Sequence, residues 1–345
     1  MPTVEQIETT VLQPNCDDRH IWEAYLSGYR MPAVAAADEL NLFEALDEAP
    51  ATAAELAART GLREYALKAL LPMLSALGFL APRGGRYHLT VSARTYLLHR
   101  SPFYWGHAFT PHRGVPLTRT FIERLKTVER EASGAPVEAW ESGKLGREQA
   151  ELIARFMNSH SLSAAAGAAR EGEFSQTKRL LDVGGGSGCF SIAFAKRNPQ
   201  LHATVMELPA MCELVRDYVA QAGLSGRIDT RSVDMFREAW PTGYDAIFMS
   251  NIWHDWDLET NAQLAASSFR ALPSGGKIVL HEMLINDEGS GPLVPASFSM
   301  MMLLGTKGRQ YSFAELKQVL EGAGFTDVRA KDSSVFYSLV SATKP

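Results

Sequence analysis

Arg179-Leu-Leu-Asp-Val-Gly-Gly-Gly-Ser-Gly188 is the stretch that decides the fold. An apolar run ends at Asp182, a glycine-dense turn follows, and Cys189 to Arg197 then alternates as an amphipathic helix would. Strand, tight turn and helix N-terminus, in that order, make the unit from which nucleotide sites in α/β sheets are built. Bare glycines let a ligand lie against backbone where side chains would collide with it. A dinucleotide fingerprint starting at Gly184 needs a glycine at position 189, which is Cys. The chain instead carries Asp-x-Gly-x-Gly, with an acid two residues before Gly184. That suits a ligand with positive charge and no pyrophosphate, such as S-adenosylmethionine.

Downstream, strand patterns recur at 202–207, 228–233, 244–250 and 277–284, with helices between them, notably 209–222 and 258–271. Such alternation predicts a mostly parallel sheet covered by helices. Ser312 and Glu315 suggest a capping box before a helix that ends at Gly322 to Gly324. Two final strands, 326–331 and 335–342, are separated by only a few polar residues. That link is too short for a crossover helix, so the last strand is predicted to run antiparallel.

The strand ends carry the candidate chemistry. Glu207, 19 residues beyond Gly188, closes the second strand as Met206-Glu207-Leu208-Pro209 and is placed to accept both ribose hydroxyls. The third ends in Val233-Asp234-Met235-Phe236, where Asp234 can take an adenine amine while Met235 and Phe236 sandwich the ring. The fourth runs from Ser250 into Asn251-Ile-Trp-His-Asp-Trp256. His254, on the same rim, is a candidate base, since a neutral imidazole with an ordinary pKa of about 6.5 can accept a hydroxyl proton. The fifth carries His281-Glu282, whose side chains must face opposite ways, so only one can serve that rim. Glu282 can fix the far nitrogen of His254.

Ahead of the sheet, Thr52 and Glu55 suggest a capped helix, Thr60-Gly61 a break, and Arg83-Gly84-Gly85-Arg86 the turn of a hairpin. Two helices and a two-stranded wing describe a winged-helix module. Residues 51–100 hold seven Lys/Arg against two Asp/Glu, a mild argument for DNA. The would-be recognition helix, Glu64 to Leu77, argues against it, being Ala, Leu, Pro and Met with Lys68 its only base. Surplus apolar surface there suits packing against a second copy. Residues 105–175 read as helical and connecting, with a Gly/Pro-containing break around Ser133 to Pro136. The domains expected are therefore 1–105, 106–175 and 176–345.

Composition sets the bounds. The 345 residues are 46% hydrophobic and 21% charged, enough for full-sized cores, and the net charge of −5 offers no nucleic-acid footprint. The acidic, polar N-terminus does not read as a signal peptide, and no apolar run approaches the roughly 18 residues of a membrane span. Three scattered cysteines, Cys16, Cys189 and Cys212, suggest neither a disulfide framework nor a zinc cluster and fit a reducing cytoplasm.

Taken together, LLDVGGGSG, MELP, VDMF, the IWHDW block and GRQYSFAEL followed by EGAGF give the chain a resemblance to the plant-type, S-adenosylmethionine-dependent small-molecule O-methyltransferases and their bacterial natural-product relatives. The resemblance covers nearly the whole chain. It implies a Rossmann-like class I methyltransferase domain, with a mostly parallel seven-stranded sheet, behind an N-terminal winged-helix dimerisation domain and hence a homodimer. It implies His254 as general base, Glu282 as its assistant and Asp255 at the site. The cofactor contacts it implies are Asp182, Gly184, Gly186, Glu207, Leu208, Asp234, Met235 and Phe236, with Ser250 counted among them by its position. Three departures stand out: Gln310 replaces a second supporting acid, Ser250 replaces a cofactor-contacting Lys, and the usual Asp-Leu-Pro is Glu207-Leu208-Pro209.

The reaction so implied is in-line transfer of a sulfonium methyl to a hydroxyl. Alignment supplies roughly 7–11 kcal/mol of barrier reduction and a general base about 10²–10⁴-fold. The acceptor is expected between the domains, among Phe156, Met157, Trp253, Met283, Phe298 and the Met300-Met301-Met302 run. Thioethers and aromatics there suit a flat aromatic or polyketide-like molecule. Competing readings are methyl transfer to carbon or nitrogen, metal-dependent chemistry through His254, Asp255 and Glu282, and a winged-helix regulator that senses a metabolite.

Overall fold

In a computed structural model, residues 11–126 and 145–345 are described; the break anticipated around 133–136 lies outside them. They group into two compact units, residues 19–126 with 283–314, and residues 11–18, 145–282 and 315–345.

The first unit begins with α1 (Arg19–Ser27), α2 (Arg30–Glu39), α3 (Leu42–Glu48), α4 (Ala53–Thr60) and α5 (Glu64–Ala76). The hairpin β1 (Leu80–Arg83) and β2 (Arg86–Leu89) follows, then α6 (Val91–Tyr96), α7 (Thr110–Arg113) and α8 (Pro116–Lys126). At the start of α4, Thr52 Oγ1 accepts the Glu55 N–H at 3.1 Å, and the Glu55 carboxylate accepts the Thr52 N–H at 2.9 Å. Gly61 ends that helix at φ 72, a left-handed conformation that costs glycine nothing. The winged-helix arrangement is present. Leu67, Leu70, Leu71, Met73 and Leu74 of α5 are all fully buried, so this helix serves the core of its unit.

The second unit is a twisted sheet and its helices: α9 (Arg147–Arg170), β3 (Arg179–Val183), α10 (Cys189–Arg197), β4 (His202–Glu207), α11 (Pro209–Gln221), β5 (Ile228–Ser232) and β6 (Ala246–Ser250). A 3₁₀ turn (Trp253–Asp255), α12 (Leu258–Ala271) and β7 (Lys277–Met283) come next. The helix α13 (Leu293–Gly305) falls in the first unit; α14 (Phe313–Gly322), β8 (Thr326–Asp332) and β9 (Tyr337–Thr343) complete the chain. The strand order is β5-β4-β3-β6-β7-β9-β8. Pairs β5/β4, β4/β3, β3/β6 and β6/β7 are parallel, and β8/β9 is antiparallel, as the short link demands. Leu180, Leu181 and Val183 of β3, like all five residues of β6, are buried, which is what a parallel sheet covered on both faces requires.

Strand order reverses at β3, which has β4 on one side and β6 on the other. Ligands in open α/β sheets bind beyond the carboxyl ends of strands at such a reversal. There the glycine turn follows β3, Glu207 ends β4, Asp234 follows β5 and His254 follows β6.

Candidate active site

The turn after β3 is held open by left-handed glycines, with φ 65 at Gly184, 57 at Gly186 and 74 at Gly188. Gly185 is needed for another reason: a Cβ there would stand 2.7 Å from Asp182 Cγ and 2.8 Å from Val205 Cγ1. Asp182 thus forms the floor of the turn, its Oδ2 accepting the Ser191 hydroxyl at 2.7 Å. Burial raises its carboxyl to about 6, with the Ser191 hydrogen bond opposing the rise. Across the turn, Glu207 Oε1 accepts the Gly186 N–H at 3.1 Å and Oε2 the Leu208 N–H at 2.8 Å. Two backbone amides orient this carboxylate, and burial raises it to about 7.

A cleft of two lobes opens above these groups. Glu207, Leu208, Asp234, Met235, Phe236 and Trp256 line the larger. Asp182, Gly185, Ser187, Cys189 and Ser250 line the smaller, and Met157, Gly184 and Asn251 belong to both. Asp234 caps the turn behind β5: its Oδ1 accepts the N–H of Phe236 at 2.9 Å and of Arg237 at 3.2 Å, and its Oδ2 takes the Arg237 guanidinium at 3.0 Å. The carboxylate therefore also holds Phe236, whose ring meets Trp256 edge-on at 4.6 Å.

Beyond β6, Asn251 reverses the chain at φ 53, and the 3₁₀ turn then presents His254. Glu282 of β7 serves this turn twice. Oε1 accepts the N–H groups of Ile252 and Trp253 at 3.1 and 2.9 Å. Oε2 stands 3.1 Å from His254 Nδ1, at ion-pair distance but off the hydrogen-bond line. On the other ring nitrogen, Nε2 is 3.7 Å from Asp255 Oδ1. Asp255 lines the larger lobe, and burial raises it to about 7, His254 opposing and Glu282 adding to the rise. Asn261 ties the turn down by donating to the carbonyls of Trp253 and Trp256 at 2.9 and 3.2 Å. Among the described residues, no three His, Cys, Asp or Glu side chains are placed to share a metal ion, and no helix is long and apolar enough to cross a membrane.

The other anticipated residues fall as follows. Ser250 lines the smaller lobe with its Oγ 2.9 Å from His281 Nδ1. Met157 overhangs the glycine turn, where its Sδ and Cε would lie 3.6 Å from a Cβ on Gly186. Phe156 is half exposed on α9 beside His160, ring centroids 5.1 Å apart. Trp253 and Met283 are fully buried. Phe298 packs on Trp22, Met301 accepts the Tyr25 hydroxyl, Met302 is buried and Met300 lies in the core of the helical unit. Gln310 is buried and takes the Ser299 hydroxyl oxygen on its backbone N–H.

Sequence reasoning missed three residues. Asn251 and Trp256 stood inside the quoted block, yet only the kink at Asn251 shows that both reach the cleft. His160, four residues after Phe156 on α9, is pushed down to about 4 by burial and by the charge of His254. Helical spacing was the available signal for it.

S-adenosylmethionine fits these residues. The lobes present the carboxyls of Glu207, Asp234, Asp255 and Asp182, and no Lys or Arg among the described residues lines either. A cation is favoured and a phosphate is not. The side-chain oxygen of Asn251 is buried without a partner, an unmet acceptor at the junction of the lobes.

A family model described as the O-methyltransferase domain matches residues 119–326, and one described as the O-methyltransferase dimerisation domain matches residues 23–99. The chain is 36% identical over 306 residues to a 3-hydroxy-5-methyl-1-naphthoate 3-O-methyltransferase of Streptomyces sahachiroi, covering 87% of each. It is 32% identical over 299 residues to an L-tyrosine C(3)-methyltransferase of Streptomyces lavendulae, covering 84% of this chain and 82% of the relative. Among solved structures, an O-methyltransferase family 2 protein of Planctomyces limnophilus in complex with apigenin superposes with a TM-score of 0.87 at 27% identity, covering 97% of this chain and 98% of that one.

Proposed function

The chain belongs to the O-methyltransferase family, and from that premise we propose that it methylates a hydroxyl of a small aromatic or polyketide-like acceptor, with His254 as general base and Glu282 as its support. S-adenosylmethionine, when bound, supplies a methyl already activated by its positive sulfur. The protein's residues then have two tasks, alignment and removal of one proton. His254 takes the acceptor's hydroxyl proton on Nε2, because Nδ1 is turned to Glu282. The Glu282 charge steadies the imidazolium that results, and its hold on the Ile252 and Trp253 amides keeps the turn in place. Glu207 receives the ribose hydroxyls, while Met235, Phe236 and Trp256 enclose the base.

One observation carries this reading: an acid-lined cleft with no Lys or Arg among its described lining residues opens beside a buried His254–Glu282 pair. The relatives acting on a naphthoate and binding apigenin support a flat phenolic acceptor. The dimerisation-domain match supports a homodimer formed through residues 23–99. Transfer to carbon is the second reading, favoured by the tyrosine C(3)-methylating relative, since a base that ionises a phenol also activates the carbon beside it.

The test is incubation with methyl-labelled S-adenosylmethionine and a panel of phenols, followed by mass spectrometry of the products. Label on oxygen is expected. Label on ring carbon would establish the second reading, and no transfer to any phenol would overturn the acceptor class.

A further inference from the structure

His281 has no part in the chemistry described above, yet it is wholly buried one residue from Glu282 on the opposite face of β7. Its Nδ1 lies 2.9 Å from Ser250 Oγ and its Nε2 2.9 Å from Ser333 Oγ. The ring stacks flat on Tyr337, centroids 4.7 Å apart and planes 4° from parallel, with Phe190 edge-on at 5.1 Å. Burial drives its pKa down to about 3, so the imidazole is neutral and has one hydrogen to place.

Donor counting decides where the hydrogens go. The Ser333 hydroxyl reaches the Tyr337 carbonyl at 3.2 Å. If Ser333 gives its hydrogen there, it accepts from Nε2–H, and Nδ1 is then bare and accepts from Ser250. Every hydrogen in the chain has a partner in that arrangement. In the reverse tautomer, the Ser250 hydrogen finds no acceptor among the described residues. The first arrangement is the one that pairs every one of these hydrogens within the protein, and it is taken below as the resting state. Ser250 Oγ consequently shows the cleft only lone pairs.

Its neighbour adds a second acceptor. Consecutive residues of a strand face opposite ways, but the left-handed φ of 53 at Asn251 brings both side chains to the smaller lobe. Asn251 spends its Nδ2 on the Tyr337 hydroxyl at 3.2 Å, which leaves Oδ1 buried and unpartnered. Asn251 lines both lobes, so with the nucleoside in the larger one the amino-acid end of the cofactor reaches the smaller.

We propose that His281 is a positioning residue that sets the polarity of the cleft: by holding the Ser250 hydroxyl hydrogen, it makes Ser250 Oγ and Asn251 Oδ1 a pair of acceptors for the α-ammonium group of S-adenosylmethionine. The proposal rests on the cofactor assigned above.

Calorimetric titration of the full chain tests it with three ligands: S-adenosylhomocysteine, its analogue lacking the α-amino group, and 5′-methylthioadenosine, which lacks the amino-acid end. The native protein is expected to bind the homocysteine compound at least tenfold more tightly than the desamino analogue. His281→Phe keeps a ring on Tyr337 but cannot accept the hydrogen, and Ser250→Ala removes the acceptor with little change in volume. Each is expected to weaken the homocysteine compound about five- to tenfold while affinity for the desamino analogue and for methylthioadenosine stays within twofold. Equal loss for all three ligands would reduce His281 to a structural role and overturn the proposal, as would native protein that does not distinguish the amino from the desamino compound. If native protein bound none of the three, the cofactor assignment itself would fall.

Discussion

Oε2 of Glu282 stands 3.1 Å from Nδ1 of His254, while Oε1 of the same carboxylate holds the backbone amides of Ile252 and Trp253. One side chain thus sets a carboxylate oxygen beside the imidazole and ties down the turn that presents it. Glu282 is itself fixed by the parallel register of β7 on β6, so the placing of the two side chains is inherited from the sheet.

His254→Ala should leave S-adenosylhomocysteine affinity within about threefold of native while methyl transfer falls about 10²–10⁴-fold, the usual contribution of a general base. Titration calorimetry and single-turnover rates report the two quantities separately. Parallel losses in both would remove His254 from the role of base.

Glu282 separates charge from scaffolding. Glu282→Gln retains an oxygen for the two amides but loses the charge facing the imidazolium, and its kcat should fall about 10–100-fold with stability near native. Glu282→Ala strands two buried amides as well, at about 1–3 kcal/mol each in denaturant unfolding. If both variants lost equal stability, the amide contacts would not be what secures the turn.

Stability against pH reads the burial of Glu207. Its carboxyl titrates at 4.5 in an ordinary setting and at about 7 in the fold. Between those values the native state keeps a proton the unfolded chain has released, so this residue's contribution falls as pH rises through the window. Glu207→Gln, which cannot ionise, should match native stability below pH 4.5 in this respect and gain on it steadily up to about pH 7. Thermal unfolding of both proteins across that range, without cofactor, supplies the comparison; a difference independent of pH would mean that Glu207 is not perturbed.

Gly185→Ala tests the floor of the glycine turn. The added Cβ would meet Asp182 Cγ at 2.7 Å and Val205 Cγ1 at 2.8 Å. Overpacking of that kind costs about 1–3 kcal/mol, and the displaced turn should weaken S-adenosylhomocysteine binding as well. Unaltered denaturation and unaltered binding together would show that the turn yields freely there.

The strand positions read from sequence lie within two residues of those observed, because buried parallel strands announce themselves as short apolar runs between turn signals. The antiparallel final strand followed from a link too short to cross over. That Glu207, Asp234 and His254 end or follow neighbouring strands was equally legible, since each is a polar residue where an apolar run stops. Residues whose function depends on a partner far along the chain were not. Asp182 was assigned to the ligand by its spacing, but a hydroxyl nine positions on, Ser191, commits one of its oxygens beneath Gly185. Ser250 was assigned to the cofactor from its place in the chain, but its Oγ stands 2.9 Å from Nδ1 of His281, 31 positions away, a pairing no local pattern announces.

Local pattern and chain length therefore determined the order of the strands' chemistry, which residues stop each strand, and the class of ligand the glycine turn admits. Only the tertiary structure decided which oxygens are already satisfied and which remain to bind. A hydrogen bond is settled by register and pleat between distant segments, and a single left-handed residue such as Asn251 redirects every side chain that follows it.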